Sequence, residues 1–350
     1  MTLQTKTRIV WIDIAKAITI FLVVFGHTLR GGMAQQIVYS FHVATFFLLS
    51  GMTCKADNMK ARMKNDVLRI LVPYYTFGIL SILIFMVLGK FAANQLDMGV
   101  NTSLGSNLLQ LLYASAKGGQ IKFNMPLWFL PCLFATKMLY YALYKLCRGK
   151  QSSILVASLG IAALGFLYTH FKGPSLPFSF SVSLKMLAFF SIGRVFFLWL
   201  PAVNDRYLVG GKAFVLGFVM LVVTAVVAWF APKVDYASDY FANIATFLVT
   251  SLIGSFGVCF VSIGIGSCKA LEYVGKTTLA ILAMHKFPVL LFQTVGPLKS
   301  LLTQYNSLFC IIMAMVVSLI AIAMCLVAER IIRRFLPFLL GDFYSLSRSK

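Results

Sequence analysis

Residues 8–51 read RIVWIDIAKAITIFLVVFGHTLRGGMAQQIVYSFHVATFFLLSG, and the reading of this stretch decides the fold. Two apolar runs, each long enough to approach a membrane span, are joined by a short turn containing Gly31 and Gly32. Inside them stand Asp13, Lys16, His27 and His42. An ionisable group inside a span costs several kcal/mol on most scales, so each marks a functional position by default. At about 100° per residue, Lys16 and His27 fall roughly 20° apart on a helix, and Asp13 lies within about 40° of His27. One face of the first helix thus holds a carboxylate, an ammonium and an imidazole along about 21 Å of axis.

The rest of the chain repeats the apolar theme. Of its 350 residues, 60% are hydrophobic and 12% charged, and the mean hydropathy is +0.87. Runs of about twenty apolar residues, the length that crosses a hydrocarbon core, recur from end to end. The expectation is an all-α integral membrane protein: one polytopic bundle of about ten transmembrane helices filling residues 1–350, with no separate soluble domain. The spans are placed near 9–29, 36–53, 70–91, 126–146, 152–170, 183–201, 212–231, 240–266, 277–298 and 305–329. The span at 240–266 is long enough to be tilted or broken at its glycines. Pro288 predicts a kink in the ninth.

Charge sets the orientation. Connections on one side carry nineteen Lys and Arg, and those on the other carry seven. Cytoplasmic loops hold the basic excess, so both termini are expected in the cytoplasm of a cell membrane. This topology also accounts for the net charge of +21, and no basic block or basic domain of the kind that binds nucleic acid is present. The seven cysteines are scattered, with no CxxC or Cys/His spacing, which predicts neither a disulfide framework nor a metal site. Asp13, Lys16 and the lack of a small-x-small cleavage site argue that the first span is retained. Ala56 to Arg69 reads as a basic surface segment, and Ser103 to Lys117 as an amphipathic helix on the outer face. No internal repeat, and no pair of broken helices in two halves, signals a transporter.

The topology puts Asp13 and Lys16 in the inner half of the first span, with His27 and His42 together near the outer side. A histidine titrates close to neutral pH and suits a general base. Arg194 sits mid-span and needs a partner, for which Glu329 and Asp239 are candidates. Asn124 and Trp128 flank an outer entry; Trp128 is either an interfacial belt residue or a platform for a sugar ring.

Several segments then align, in order, with one family. Lys16 and His27 have ten residues between them, and DIAKAITIFLVVFGH resembles the opening helix of the membrane-bound acyltransferase-3 family, with its [RK]-x10-H spacing. FHVATFFLLSG (41–51), RILVPY (69–74), LWFLP (127–131) and YVGKTTLAILAMHKFPV (273–289) resemble its later segments. His42 brings the chain nearest to the fucose-4-O-acetylase-like branch. The resemblance implies transfer of an acyl group, usually acetyl from acetyl-CoA, to a hydroxyl of a cell-surface sugar in a bacterial envelope. By position it implies His27 as the catalytic residue, Lys16 as its basic partner, Asp13 as the group that orients or balances Lys16, and Arg69 as a cation for the CoA phosphates. Where the family often has a first arginine before the third span this chain has Asp66, so Arg62 or Lys64 is expected to take that role. Its proline after F-H-x is Ala44 here. His42 is a second donor or acceptor ligand, and His285 belongs to the late motif and is expected at the acceptor site with Asn124, Trp128 and Arg194. No metal is implied. Two other readings remain open: export of a polysaccharide or small anion, and N-acylation of an amino sugar.

Overall fold

The computed structural model describes residues 9–56, 58–92, 103–118, 120–207, 210–231, 233–294, 302 and 307–343. The middle of the 90–124 connection, the end of the ninth span and the start of the tenth lie outside these residues. So do Lys6, Arg8, Lys299, Arg348 and Lys350 of the charge count.

The chain is helical almost throughout. In order it forms α1 (Val10–Thr28), α2 (Met33–Tyr39), α3 (His42–Thr53), α4 (Met59–Asp66), α5 (Val72–Ala92), α6 (Leu104–Tyr113), α7 (Phe129–Leu146), α8 (Gln151–His170), α9 (Phe180–Tyr207) and α10 (Gly211–Phe230). A two-stranded antiparallel hairpin follows, β1 (Val234–Asp235) and β2 (Tyr240–Phe241), with Val234 opposite Phe241. Then come α11 (Ile244–Ile265), α12 (Lys269–Lys276), α13 (Thr278–Met284), α14 (Lys286–Thr294) and α15 (Leu308–Phe335). Among the described residues, eight helices are long and apolar enough to cross a membrane. The protein is an all-α polytopic membrane protein. Its outermost helices, α8, α10 and α15, present rows of exposed Leu, Val, Ile and Phe, a surface that only lipid covers without cost. Helix α1 lies inside the bundle with most of its residues buried.

The remaining two expected spans are both broken, and each break carries a histidine. The second span is α2 and α3, interrupted at Ser40 and Phe41 just before His42. The ninth is α13 and α14, interrupted at His285. Pro288 explains the second break, because it supplies no N–H for the carbonyl four residues back, that of Met284. The first has no proline. There the freed Ser40 carbonyl accepts the Tyr236 hydroxyl at 3.3 Å and the Ser251 hydroxyl at 2.7 Å. Two interrupted helices are therefore a feature of this fold, of which the sequence pattern signalled only the one at Pro288.

One more expectation changes, and one amphipathic helix forms as expected. The span placed at 240–266 begins at Ile244, and α11 is unbroken. Its glycines admit close neighbours instead: a Cβ on Gly254 would stand 2.6 Å from the Phe41 ring. The amphipathic segment at 103–117 folds as α6, capped by Ser103, whose Oγ accepts the Ser106 N–H. Asn107 and Leu111 turn inward while Leu109 and Leu112 face out. Tyr74 secures the helix by donating to the Leu111 carbonyl at 2.7 Å.

Candidate active site

The site grows from α1. Asp13 and Lys16 are one turn apart near its start, 4.0 Å between Oδ1 and Nζ. Gly275 of α12 packs directly on the Asp13 carbonyl, with no room for a methyl group. His27 occupies the last turn of the same helix, about 21 Å along the axis from Asp13.

Gly26, just before His27, has a specific use. With no side chain there, the Tyr39 ring lies against the helix beside the imidazole. Tyr39 Oη stands 3.4 Å from His27 Nδ1 and 3.4 Å from the Gly26 carbonyl. Ring neighbours continue in a chain. The His27 centroid is 5.3 Å from that of His285 and 6.0 Å from that of Tyr39. Tyr39 is 5.0 Å from His42, and His42 is 6.2 Å from Tyr236.

Two of the three imidazoles have their tautomers set by the backbone. His42 Nδ1 is 2.8 Å from the Val38 carbonyl, and His285 Nδ1 is 2.9 Å from the Ile281 carbonyl. A carbonyl only accepts, so each Nδ1 carries a proton, and in the neutral ring each Nε2 presents a lone pair. His285 Nε2 is buried and makes no hydrogen bond among the described residues. His27, Tyr39, His42 and Tyr236 of this chain of rings line a pocket of about 230 Å³, together with Gln35, Trp128 and Phe129, among others, and with Lys233 and Asp235 of the hairpin region on the same wall. Burial pushes the Tyr236 hydroxyl well above its ordinary range, which keeps it a donor to Ser40.

A second cavity of about 570 Å³ is basic. It is lined by Arg69, Lys276, Arg330 and Arg333, with Glu329 and Asp342 also on its wall. Glu329 holds Arg333, Oε1 to Nε at 2.6 Å. The two cavities meet the same short helix: the basic one touches α13 at Leu279 and Ala280, and the histidine one touches it at Leu282. Ala280 and Leu282 are about 3 Å apart along the helix axis. This arrangement can hold a polyanionic group on one side of α13 and a reacting centre with neutral imidazole bases on the other.

The profile of one family, the acyltransferase-3 acyltransferase domain, matches residues 9–327. The chain belongs to that family. Neither the curated proteins nor the solved structures contain a match to it. The protein is therefore a membrane acyltransferase, and its candidate residues can be placed one by one.

His27, His42 and Trp128 line the histidine cavity, and His285 stands behind His27, fully buried and off the cavity wall. Asn124 does not line that cavity. It is fully buried behind it, donating to Ser81 Oγ at 3.0 Å and to the Ala283 carbonyl at 2.9 Å, next to the break in the ninth span. Arg194 lies on neither cavity and is found beside Cys54 and Tyr140. Its expected mates are engaged elsewhere: Glu329 by Arg333, and Asp239 by the fully buried Lys185 and by Thr169. Arg69 reaches the basic cavity, whereas Arg62 and Lys64 on α4 do not line it. The cause is a π-helical turn at Val67–Leu71. Its wider winding lets Asp66 turn inward to Lys137 and Tyr141 while Arg69 meets the cavity. Sequence reasoning passed over Tyr39, Gln35, Lys233 and Asp235 in the histidine cavity, and Lys276, Arg330 and Arg333 in the basic one. The dipeptide Gly26-His27 was the available signal for an aromatic neighbour. Arg330 and Arg333 registered only as topology charges.

Proposed function

We propose that this acyltransferase moves an acetyl group from acetyl-CoA to a hydroxyl of a cell-envelope or exported glycan, in the bacterial cytoplasmic membrane, as a member of the fucose-4-O-acetylase-like branch. The observation that carries this reading is the pair of cavities on α13, one basic and one lined by imidazoles. Arg69, Lys276 and Arg330 suit the CoA phosphates. Lys16, with Asp13 beside it, stands on the α1 face that runs from the basic end toward His27. The nineteen-to-seven charge asymmetry supports a cytoplasmic basic end, where acetyl-CoA is found, with both termini on that side.

In the reaction, His27 takes the proton of the acceptor hydroxyl as its oxygen attacks the thioester carbonyl carbon. The oxyanion that forms collapses, the carbon–sulfur bond breaks, and the CoA thiolate leaves with the proton that the imidazolium returns. His42 and His285, each held as a neutral base, orient the acceptor hydroxyl. Trp128 offers its face to the sugar ring.

The test is transfer of labelled acetyl from acetyl-CoA in membranes containing the protein. Label in alkali-labile glycan ester supports O-transfer, and alkali-stable label supports N-acylation instead. His27→Ala is expected to abolish transfer while insertion is retained, and near-normal activity in that variant overturns its role. Lys16→Ala is expected to weaken acetyl-CoA use, and unchanged donor KM and kcat remove it from the site. Export is the second reading, favoured by the paired broken helices, which also line transport paths. Loss of the gene with unchanged glycan ester content and retained intracellular glycan selects export.

A further inference from the structure

The hairpin 234–241 is the one place where the described residues leave helix for strand, and it stands over the histidine cavity. It is held rigidly. Tyr236 bonds the Ser40 carbonyl and pairs with Ser251 at 3.2 Å. Asp239, at its far end, is gripped by Lys185 and by Thr169 at 2.9 Å, with Lys117 at 3.8 Å. Phe241 packs at 4.6 Å between centroids on Phe247.

Immediately before the first of these anchors the chain delivers Asp235 to the cavity wall. Its Oδ1 accepts the N–H groups of Ala237 at 3.1 Å and Ser238 at 3.2 Å, and its Oδ2 accepts the Ser238 hydroxyl at 2.8 Å. A carboxylate offers about four lone-pair sites, so Oδ2 has one left after the turn is satisfied. Asp235 is only half-buried, and the cavity it lines also contains Trp128 and Phe129. A carboxylate beside aromatic faces suits a sugar ring: the rings cover its apolar C–H surface, and the carboxylate takes a charge-assisted hydrogen bond from a hydroxyl.

We propose that the hairpin is the acceptor-recognition element, and that Asp235 binds a hydroxyl next to the one acylated on a neutral sugar ring. This rests on the acyl-transfer reading and names the substrate class of that site. Anchored through Tyr236, Asp239 and Phe241, the hairpin forms a wall of the pocket.

The experiment measures transfer of labelled acetyl from acetyl-CoA onto alkali-de-esterified envelope glycan from the producing cells, in membranes with matched amounts of protein. Asp235→Asn is expected to raise the acceptor KM by about tenfold or more, with acetyl-CoA KM and kcat within about twofold of wild type. Ser238→Ala removes a turn contact but keeps the carboxylate, and its acceptor KM should stay within about twofold. An unchanged acceptor KM in Asp235→Asn overturns the proposal. So does an equal rise in Ser238→Ala, which would assign the effect to the turn. Failure of the wild-type protein to transfer label defeats the acyl-transfer reading itself, a distinct result.

Discussion

Gly26→Ala is the substitution whose outcome follows most directly from the geometry. The added Cβ would stand 2.6 Å from Tyr39 Cε1 and 3.2 Å from its Cδ1. Reaching ordinary contact near 3.4 Å requires the ring to retreat by about 0.8 Å. Tyr39 Oη is already 3.4 Å from His27 Nδ1, so the retreat takes it beyond hydrogen-bond distance. Two stability effects then oppose each other. Alanine gains about 1 kcal/mol over glycine inside a helix. Overpacking costs about 1–3 kcal/mol. The net loss is about 0–2 kcal/mol, too little to unfold the protein. Transfer is far more sensitive, because misplacing a reacting group by about 1 Å can cost about a hundredfold. The variant should therefore melt within a few degrees of wild type in detergent while turnover of labelled acetyl falls by about ten- to a hundredfold. Gly160→Ala is the control: nothing lies within 4 Å of its Cβ position on α8, so it should gain stability and keep activity. A Gly26→Ala protein with wild-type turnover would refute the argument that the Tyr39 ring must lie where it does.

Two further outcomes follow from the same structure. Arg69→Ala should raise the acetyl-CoA KM by about tenfold, whereas Lys64→Ala, off the basic cavity, should leave it within about twofold; steady-state kinetics in membranes separates them. Lys185→Met leaves the buried Asp239 carboxylate with only Thr169 and the more distant Lys117 and should cost up to about 3–5 kcal/mol, seen as a lowered melting temperature, while Lys185→Met with Asp239→Asn should recover much of that loss.

Much of this site could be read in advance because helix geometry is arithmetic. The spacing of Asp13, Lys16 and His27 sufficed to put them on one face, and Pro288 sufficed to announce a break. What escaped depended on distant partners. Nothing near Ser40 predicts an interruption, since the hydroxyls that satisfy its carbonyl come from Tyr236 and Ser251, about two hundred residues on. Arg194 was matched to Glu329 and Asp239 because all three are charges in apolar surroundings. Arg333, one turn from Glu329, and Lys185, within reach of Asp239, hold those carboxylates. Arg69 was separated from Arg62 and Lys64 by a π turn that shifts helical phase, a feature set by packing. Asp235 lay in a short polar connection whose hairpin is held by α8, α9, α11 and the α2–α3 break.

The interrupted second span has a consequence for how the protein is made. Helices enter a membrane roughly in chain order, and a bare carbonyl in hydrocarbon costs several kcal/mol. When residues 33–53 leave the ribosome, the two hydroxyls that will serve Ser40 have not been translated. The amide of Gln36 waits likewise for the carbonyls of Ala228 and Ala231, and the carbonyls of His27 and Thr28 wait longer still, for Gln293. The nascent chain must carry this segment as a continuous helix or keep it in a polar shelter until α10, the hairpin and α11 arrive. The histidine pocket thus cannot close until the hairpin and α11 have been made, and a chain truncated before residue 251 should be inactive and short-lived, which a pulse-chase of the truncated chain checks.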